Sequence, residues 1–103
     1  GPDGHVLSVF PDSIALDPLA PVVMPIPAPT HIGPSLPRVT LGPAVVAAAR
    51  SVLLIVGGEA KAGVVAAVLE GDPSIERYPA RLARLDTATW LLDRASAGRL
   101  EAR

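Results

Sequence analysis

The pattern of hydrophobic positions is clearest in the second half of the chain. The run Val52–Val56 is a continuous stretch of β-branched residues and leucine, which is typical of a strand buried on both faces. A pair of glycines follows it, and residues 60–71 then read as an apolar helix. Strand, glycine turn and helix in this order predict a βα unit of a parallel sheet.

Two flanking stretches extend this pattern. Arg38–Leu41 reads as extended, and we expect a helix over residues 44–50 because Pro43 stands where a first helical turn tolerates proline. Residues 89–92 predict a last strand, and residues 94–100 a last helix. The predicted fold class is therefore α/β, with an open, mostly parallel, doubly wound sheet flanked by helices.

A fully apolar strand needs neighbours on both sides, and two or three strands are marginal by themselves. We therefore expect this sheet to be the C-terminal part of a larger one, lacking its N-terminal strands.

The first part of the chain has a different pattern. Val6, Val9 and Phe10 recur at helical spacing before a proline, which predicts a short helical turn. The stretch 18–37 holds seven of the twelve prolines, so we expect an extended connector with one edge strand at 22–24. The organisation expected for this single partial domain is a turn and short helix in 1–17, a proline-rich connector in 18–37 and βα units in 38–103.

Composition limits the class of protein. The chain has 103 residues, is half hydrophobic and carries a net charge of -1, which fits one small globular domain or a piece of a larger one. Nine basic residues against ten acidic ones create no field that would hold nucleic acid or an anionic membrane. No apolar stretch approaches the ~20 residues of a membrane span. The lack of cysteine excludes thiolate chemistry and fits a cytoplasmic location.

The opening turn carries the candidate catalytic residues. His5 follows an Asp-Gly turn at once, so it is held on a tight loop where an imidazole can move protons near neutral pH. Asp3 could orient this ring or bind a hydroxyl, while an ordinary turn with an exposed histidine is the alternative. His31 lies among prolines and reads as a loop residue. We expect no metal, since two distant histidines without paired carboxylates do not match zinc spacings.

A second set of residues is suited to phosphate. Gly57 and Gly58 precede a helix start, where free amides and the helix dipole favour an anion, and Lys61 is the only lysine of the chain. Arg38 stands alone in a long, nearly uncharged region, so burying it calls for an anion. An ordinary βα turn and an intramolecular carboxylate are the respective alternatives.

Three motifs, in this order and spacing, resemble the C-terminal half of the 6-phosphogluconolactonases: GPDGHVLSVFP, PRVTLGPAVVAAARSVLLIVGGEAKA and YPARLARLDTATWLLDRASAGRL. The resemblance implies hydrolysis of 6-phosphogluconolactone, a phosphorylated sugar lactone, to 6-phosphogluconate in the pentose phosphate pathway, without a cofactor. It also implies that His5 is the general base that activates water. Arg38 and Lys61 are implied to lie at the substrate phosphate.

Two other functions stay open. Glucosamine-6-phosphate deaminases share the fold and the Asp-Gly-His sequence, but they carry a proton-transferring glutamate where this chain has Phe10. The family also carries several strands and a glycine-rich phosphate loop upstream of this point. The chain could therefore be a non-enzymatic lobe or fragment whose partner is a missing N-terminal half or a second copy.

Overall fold

Two separate two-stranded sheets organise the part of the chain described by this computed structural model, residues 1–71 and 74–101. The strands are β1 (Val23–Ile26), β2 (Arg38–Leu41), β3 (Val52–Val56) and β4 (Ala88–Leu92). The α-helices are α1 (Pro43–Ala48) and α2 (Ala62–Leu69), and short 3₁₀ helices cover Ile14–Leu16, Glu59–Lys61 and Pro79–Ala83. None of the helices in these residues is long and apolar enough to cross a membrane.

The β3–β4 pair is parallel, and its register runs from Val52 opposite Ala88 to Val56 opposite Leu92. A glycine turn leads from β3 through a 3₁₀ helix into α2, whose inner side buries Val65 and Val68. The predicted βα unit and the predicted last strand are therefore confirmed. This pair gives the fold its α/β character.

The two faces of β3 differ in exposure. Leu53 and Ile55 are 59% and 78% exposed, whereas Leu54 and Val56 are half-buried and face a cleft beside α2. The expectation of burial on both faces is thus wrong for the described residues. The reason is that no described layer covers the outer face of this pair.

The β1–β2 pair is antiparallel, with Val23 opposite Leu41 and Ile26 opposite Arg38. β1 contains part of the predicted edge strand, and β2 coincides with the predicted extended segment. A small core on this side joins Ile26 to Val9, Phe10 and Ala15, with Leu16, Met24 and Ile32 packed around it. This core connects the proline-rich connector to the N-terminal turn.

The segment after the opening turn is not helical. Val6 and Val9 form an isolated antiparallel bridge across a tight turn, in which Leu7 has a φ of 54°. The amide of Ser8 donates to the hydroxyl of Thr40 at 3.0 Å, so this amide forms its hydrogen bond with β2 and not within a helical turn. The predicted helical turn at these positions is therefore wrong, and a 3₁₀ helix forms later, at Ile14–Leu16.

Residues 94–99 form consecutive turns instead of the helix predicted over residues 94–100. Ser96 is fully buried, and its hydroxyl donates to the carbonyl of Val56 at 2.9 Å. Its amide donates to the carboxylate of Asp93 at 2.7 Å. These bonds fold the chain back onto the end of β3, which a helix leading straight away from β4 would not allow.

Candidate active site

The Asp3-Gly4-His5 turn has a fixed backbone. Gly4 is buried with a φ of 81°, and its amide donates to the carbonyl of Gly1 at 3.0 Å. Its own carbonyl accepts from the amide of Ala80 at 2.7 Å. A Cβ at Gly4 would lie 2.6 Å from a ring carbon of Tyr78. Glycine is therefore required here both by the left-handed conformation and by the close packing.

The carboxylate of Asp3 binds two imidazoles. Its Oδ1 accepts from Nδ1 of His5 at 2.6 Å, and its Oδ2 accepts from Nε2 of His31 at 2.8 Å. An ionised carboxylate only accepts hydrogen bonds, so both of these ring nitrogens carry a hydrogen. Nε2 is then the nitrogen of neutral His5 that is free to take a proton.

The same hydrogen bonds keep Asp3 ionised. Burial of the carboxyl works toward a higher pKa, but the hydrogen bonds from His31 and His5 outweigh it and lower the pKa of Asp3 from 3.8 to about 2. The turn thus presents His5 beside a permanent negative charge at neutral pH.

An aromatic ring links the two histidines to Arg38. The ring of buried Phe10 lies 4.8 Å from that of His5 and 5.7 Å from that of His31, centroid to centroid. The guanidinium of Arg38 lies 5.3 Å from the same ring centroid. Sequence reasoning gave His31 no place in this cluster, because only the fold brings it next to Asp3 and Phe10.

His5 and Lys61 line one cleft of about 190 Å³. Its walls come from the opening turn, the inner face of β3, α2 and Trp90, whose indole N–H donates to the carbonyl of Ala83 at 3.0 Å. Lys61 ends the 3₁₀ helix that precedes α2. Burial and then the Lys61 ammonium lower the pKa of the Gly1 amino group, which places this cation close to the turn.

The Gly57-Gly58 turn lies outside this cleft and already holds an anion. The Gly58 amide donates to both carboxylate oxygens of Asp93, at 3.0 and 3.2 Å. Hydrogen bonds from Ser96 and then from Gly58 lower the pKa of Asp93. The expectation of a free amide at Gly58 is therefore wrong, since an intramolecular carboxylate fills that position.

Arg38 has no carboxylate partner among the described residues. One Nη donates to the carbonyl of Pro34 at 2.8 Å, and Nε is buried without a hydrogen-bond partner in the described part of the chain. Arg38 does not line the cleft but stands against the ring that contacts His5. Within residues 1–71 and 74–101, the intramolecular acid considered from the sequence is thus not found beside Arg38, which contacts a backbone carbonyl and an aromatic ring instead.

Within residues 1–71 and 74–101, no group of three or more His, Cys, Asp or Glu side chains is arranged so that it could hold a metal ion. The cluster has two imidazoles and one carboxylate, and these side chains bind each other directly.

Comparison with known proteins places this turn and cleft in a family. The model of the glucosamine-6-phosphate isomerase/6-phosphogluconolactonase family matches residues 1–91. The chain belongs to this family. The resemblance inferred from the three motifs is thereby confirmed.

Relatives of this chain include proteins named 6-phosphogluconolactonase. That of Mycobacterium leprae is 35% identical over 100 residues, covering 97% of this chain and 40% of the relative. The human protein is 40% identical over 99 residues, covering 94% of this chain and 37% of the relative. The chain therefore spans about two fifths of the length of these relatives.

Solved structures of the family confirm the fold class. The 6-phosphogluconolactonase from Leishmania guyanensis matches with a TM-score of 0.82 and 33% identity, over 99% of this chain and 39% of that structure. The enzyme from Trypanosoma brucei matches with a TM-score of 0.81 and 34% identity, over 97% and 39%. The fold of this chain is therefore similar to about two fifths of each of these two structures.

Proposed function

We propose that this chain supplies the general base and a phosphate-binding cation of an enzyme that hydrolyses 6-phosphogluconolactone to 6-phosphogluconate. One observation carries the proposal: His5, with Nδ1 bound to Asp3, and the Lys61 ammonium side chain line the same cleft. Membership of a family whose relatives bear the name of this activity supports it. The cytoplasm is the compartment that the cysteine-free sequence favours.

In this proposal Nε2 of His5 takes a proton from a water molecule as the water oxygen attacks the lactone carbonyl carbon. The tetrahedral intermediate then collapses, and the bond between the carbonyl carbon and the ring oxygen breaks. The imidazolium returns its proton to the departing oxygen, which becomes a hydroxyl of the acid product. Asp3 holds the imidazolium in place and balances its charge, without taking the proton itself.

The phosphate of the substrate is assigned to Lys61, because a flexible ammonium is a strong point-charge partner for a dianion. Arg38 is the second proposed contact, since its buried Nε has no partner among the described residues. Binding at Gly57 and Gly58 stays a prediction, and it requires the carboxylate of Asp93 to leave the Gly58 amide.

The position of Phe10 argues against deamination. Its ring packs 4.8 Å from the ring of His5, centroid to centroid, where the sequence motif of the deaminases places a glutamate. A phenyl ring cannot transfer a proton, whereas ester hydrolysis needs only the imidazole and water. The lactone is therefore the substrate that the turn favours.

Lactone hydrolysis tests the proposal in two proteins, since the chain spans about two fifths of its relatives. One is the 103-residue chain itself. The other is the Mycobacterium leprae relative, with its matched segment replaced by residues 1–103. Proton release is followed above the spontaneous rate. We expect His5→Asn, which keeps a donor toward Asp3, to lower kcat by about 10² or more, and Lys61→Met to raise KM mainly.

Lys61→Arg is the matched control, because it retains the charge and should keep KM closer to that of the parent. Near-parental turnover by the His5→Asn protein would remove His5 from the mechanism. Turnover in neither parent protein would favour the non-enzymatic lobe, and ammonia release from glucosamine 6-phosphate would restore the deaminase alternative.

A further inference from the structure

His31 lies outside all three motifs that carry the family resemblance, yet it contacts the centre of the candidate site. Its Nε2 is 2.8 Å from Oδ2 of Asp3, while Oδ1 of the same carboxylate is 2.6 Å from Nδ1 of His5. We propose that His31 is a positioning residue for His5, acting through the carboxylate of Asp3. This inference rests on the proposed role of His5 as the base.

The proline-rich connector holds His31 in place. The hydroxyl of Ser35 donates to the carbonyl of buried Pro29 at 2.7 Å, which closes the loop on both sides of His31. Ile32 packs against the small core, and the edge-on contact with Phe10 orients the imidazole. The ring is therefore anchored although its side chain is 43% exposed.

A carboxylate bound through one oxygen can rotate about its terminal bond, since that torsion has a broad energy profile. A second hydrogen bond to Oδ2 restricts this rotation and so fixes the direction in which Oδ1 meets Nδ1 of His5. Nε2 lies on the opposite side of the His5 ring, so fixing the position of Nδ1 also fixes the direction of Nε2. His31 thus orients the base without touching the substrate.

The second hydrogen bond also affects where protons reside. The carboxylate of Asp3 already accepts from the ring and the amide of His5, and a carboxylate that accepts a further hydrogen bond holds a proton less well. Asp3 therefore stays ionised, and the shared proton stays on Nδ1 of His5. This keeps His5 in the tautomer whose Nε2 lone pair is free.

Nuclear magnetic resonance of the 103-residue chain tests the positioning role without turnover. His31→Phe keeps a planar ring against Phe10 but removes the donor, whereas His31→Gln keeps a donor near the position of Nε2. We expect His31→Phe to raise the pKa of Asp3 from about 2 toward 3.8. The ¹⁵N shifts of neutral His5 should move toward a mixture of tautomers, and His31→Gln should restore most of both signals.

The proposal is overturned if His31→Phe leaves the Asp3 titration and the His5 nitrogen shifts unchanged. If the phenylalanine variant loses its dispersed spectrum, His31→Ala is measured in the same way and decides the question. In the lactone assay, kcat should fall about tenfold in His31→Phe with KM unchanged, which corresponds to the loss of one hydrogen bond. The spectra report on positioning even if the parent proteins do not hydrolyse the lactone, so the two proposals fail separately.

Discussion

At the scale of single residues, the carboxylate of Asp3 joins two separate parts of the sequence. It accepts hydrogen bonds from the ring and the amide of His5 in its own turn, and another from His31 in the proline-rich connector. These bonds are strongest with the ionised carboxylate. Ionisation of Asp3 and folding of these two segments are therefore coupled, and this coupling is expressed as a dependence of stability on pH.

The free energy of unfolding should fall as the pH drops from about 4 to about 2. The folded-state pKa of Asp3 is about 2, below the ordinary value of 3.8. Its contribution to the free energy of unfolding is therefore complete above the ordinary pKa, and it is lost as the pH falls through the folded-state pKa. Urea titrations across this range should show the difference between wild type and Asp3→Asn shrinking with falling pH. Asp86→Asn, at an exposed position, is the matched control. A constant difference for Asp3→Asn would contradict the coupling.

The candidate site residues that could be predicted are those recognisable from their immediate neighbours in the sequence. A histidine directly after an Asp-Gly turn and a lone lysine after a glycine pair stand out, and the fold brings His5 and Lys61 to one cleft. His31 could not be recognised, because its partner Asp3 is near it only after the connector has folded. The hydrogen bond from the Gly58 amide to Asp93 could not be predicted either, since it requires the ends of β3 and β4 to be adjacent.

At the scale of elements, the parallel strand pair is tied together at its C-terminal end by a buried polar group. The hydroxyl of Ser96 donates to the carbonyl of Val56, and its amide to Asp93 just after β4. The hydrophobic pattern predicted both strands, since strand runs are encoded locally. It did not predict the turns at 94–99, because the burial of Ser96 depends on the neighbouring strand.

Ser96→Ala should lower the free energy of unfolding by about 1–2 kcal/mol, because the carbonyl of Val56 loses the hydrogen bond from the hydroxyl of fully buried Ser96. Urea unfolding followed by circular dichroism measures this change. Ser51→Ala is the matched control at an exposed position, where a substitution should stay within about 0.5 kcal/mol. Equal stability of the two variants would show that the Ser96 bond does not hold the turn.

At the scale of the whole molecule, apolar surface is exposed on the outer face of the parallel pair. Leu53, Ile55 and Leu91 are each at least half exposed there. Contiguous apolar surface of this kind usually marks a contact site. The continuous apolar run of β3 did predict a strand that belongs inside a larger sheet, and the relatives, with more than twice the length, have the additional chain to build one.

The 103-residue chain should therefore associate as its concentration rises, since pairing these faces removes apolar area from water. Sedimentation velocity over a range of concentrations measures the average mass. Ile55→Glu places a charge at the most exposed apolar position of β3 and should reduce association, whereas Ala44→Glu adds the same charge at an exposed position of α1, outside both strands. A mass that stays monomeric, or an equal response of both variants, would contradict this expectation.

Trp90 determines where in the molecule the tryptophan fluorescence originates. It is the single tryptophan of the chain, its indole N–H is bound to a backbone carbonyl, and it lines the cleft that also contains His5 and Lys61. Its ultraviolet emission therefore originates beside the candidate site, with no second indole to obscure it. The molecule thus carries a built-in optical reporter, through which occupancy of the cleft can be followed in unlabelled protein.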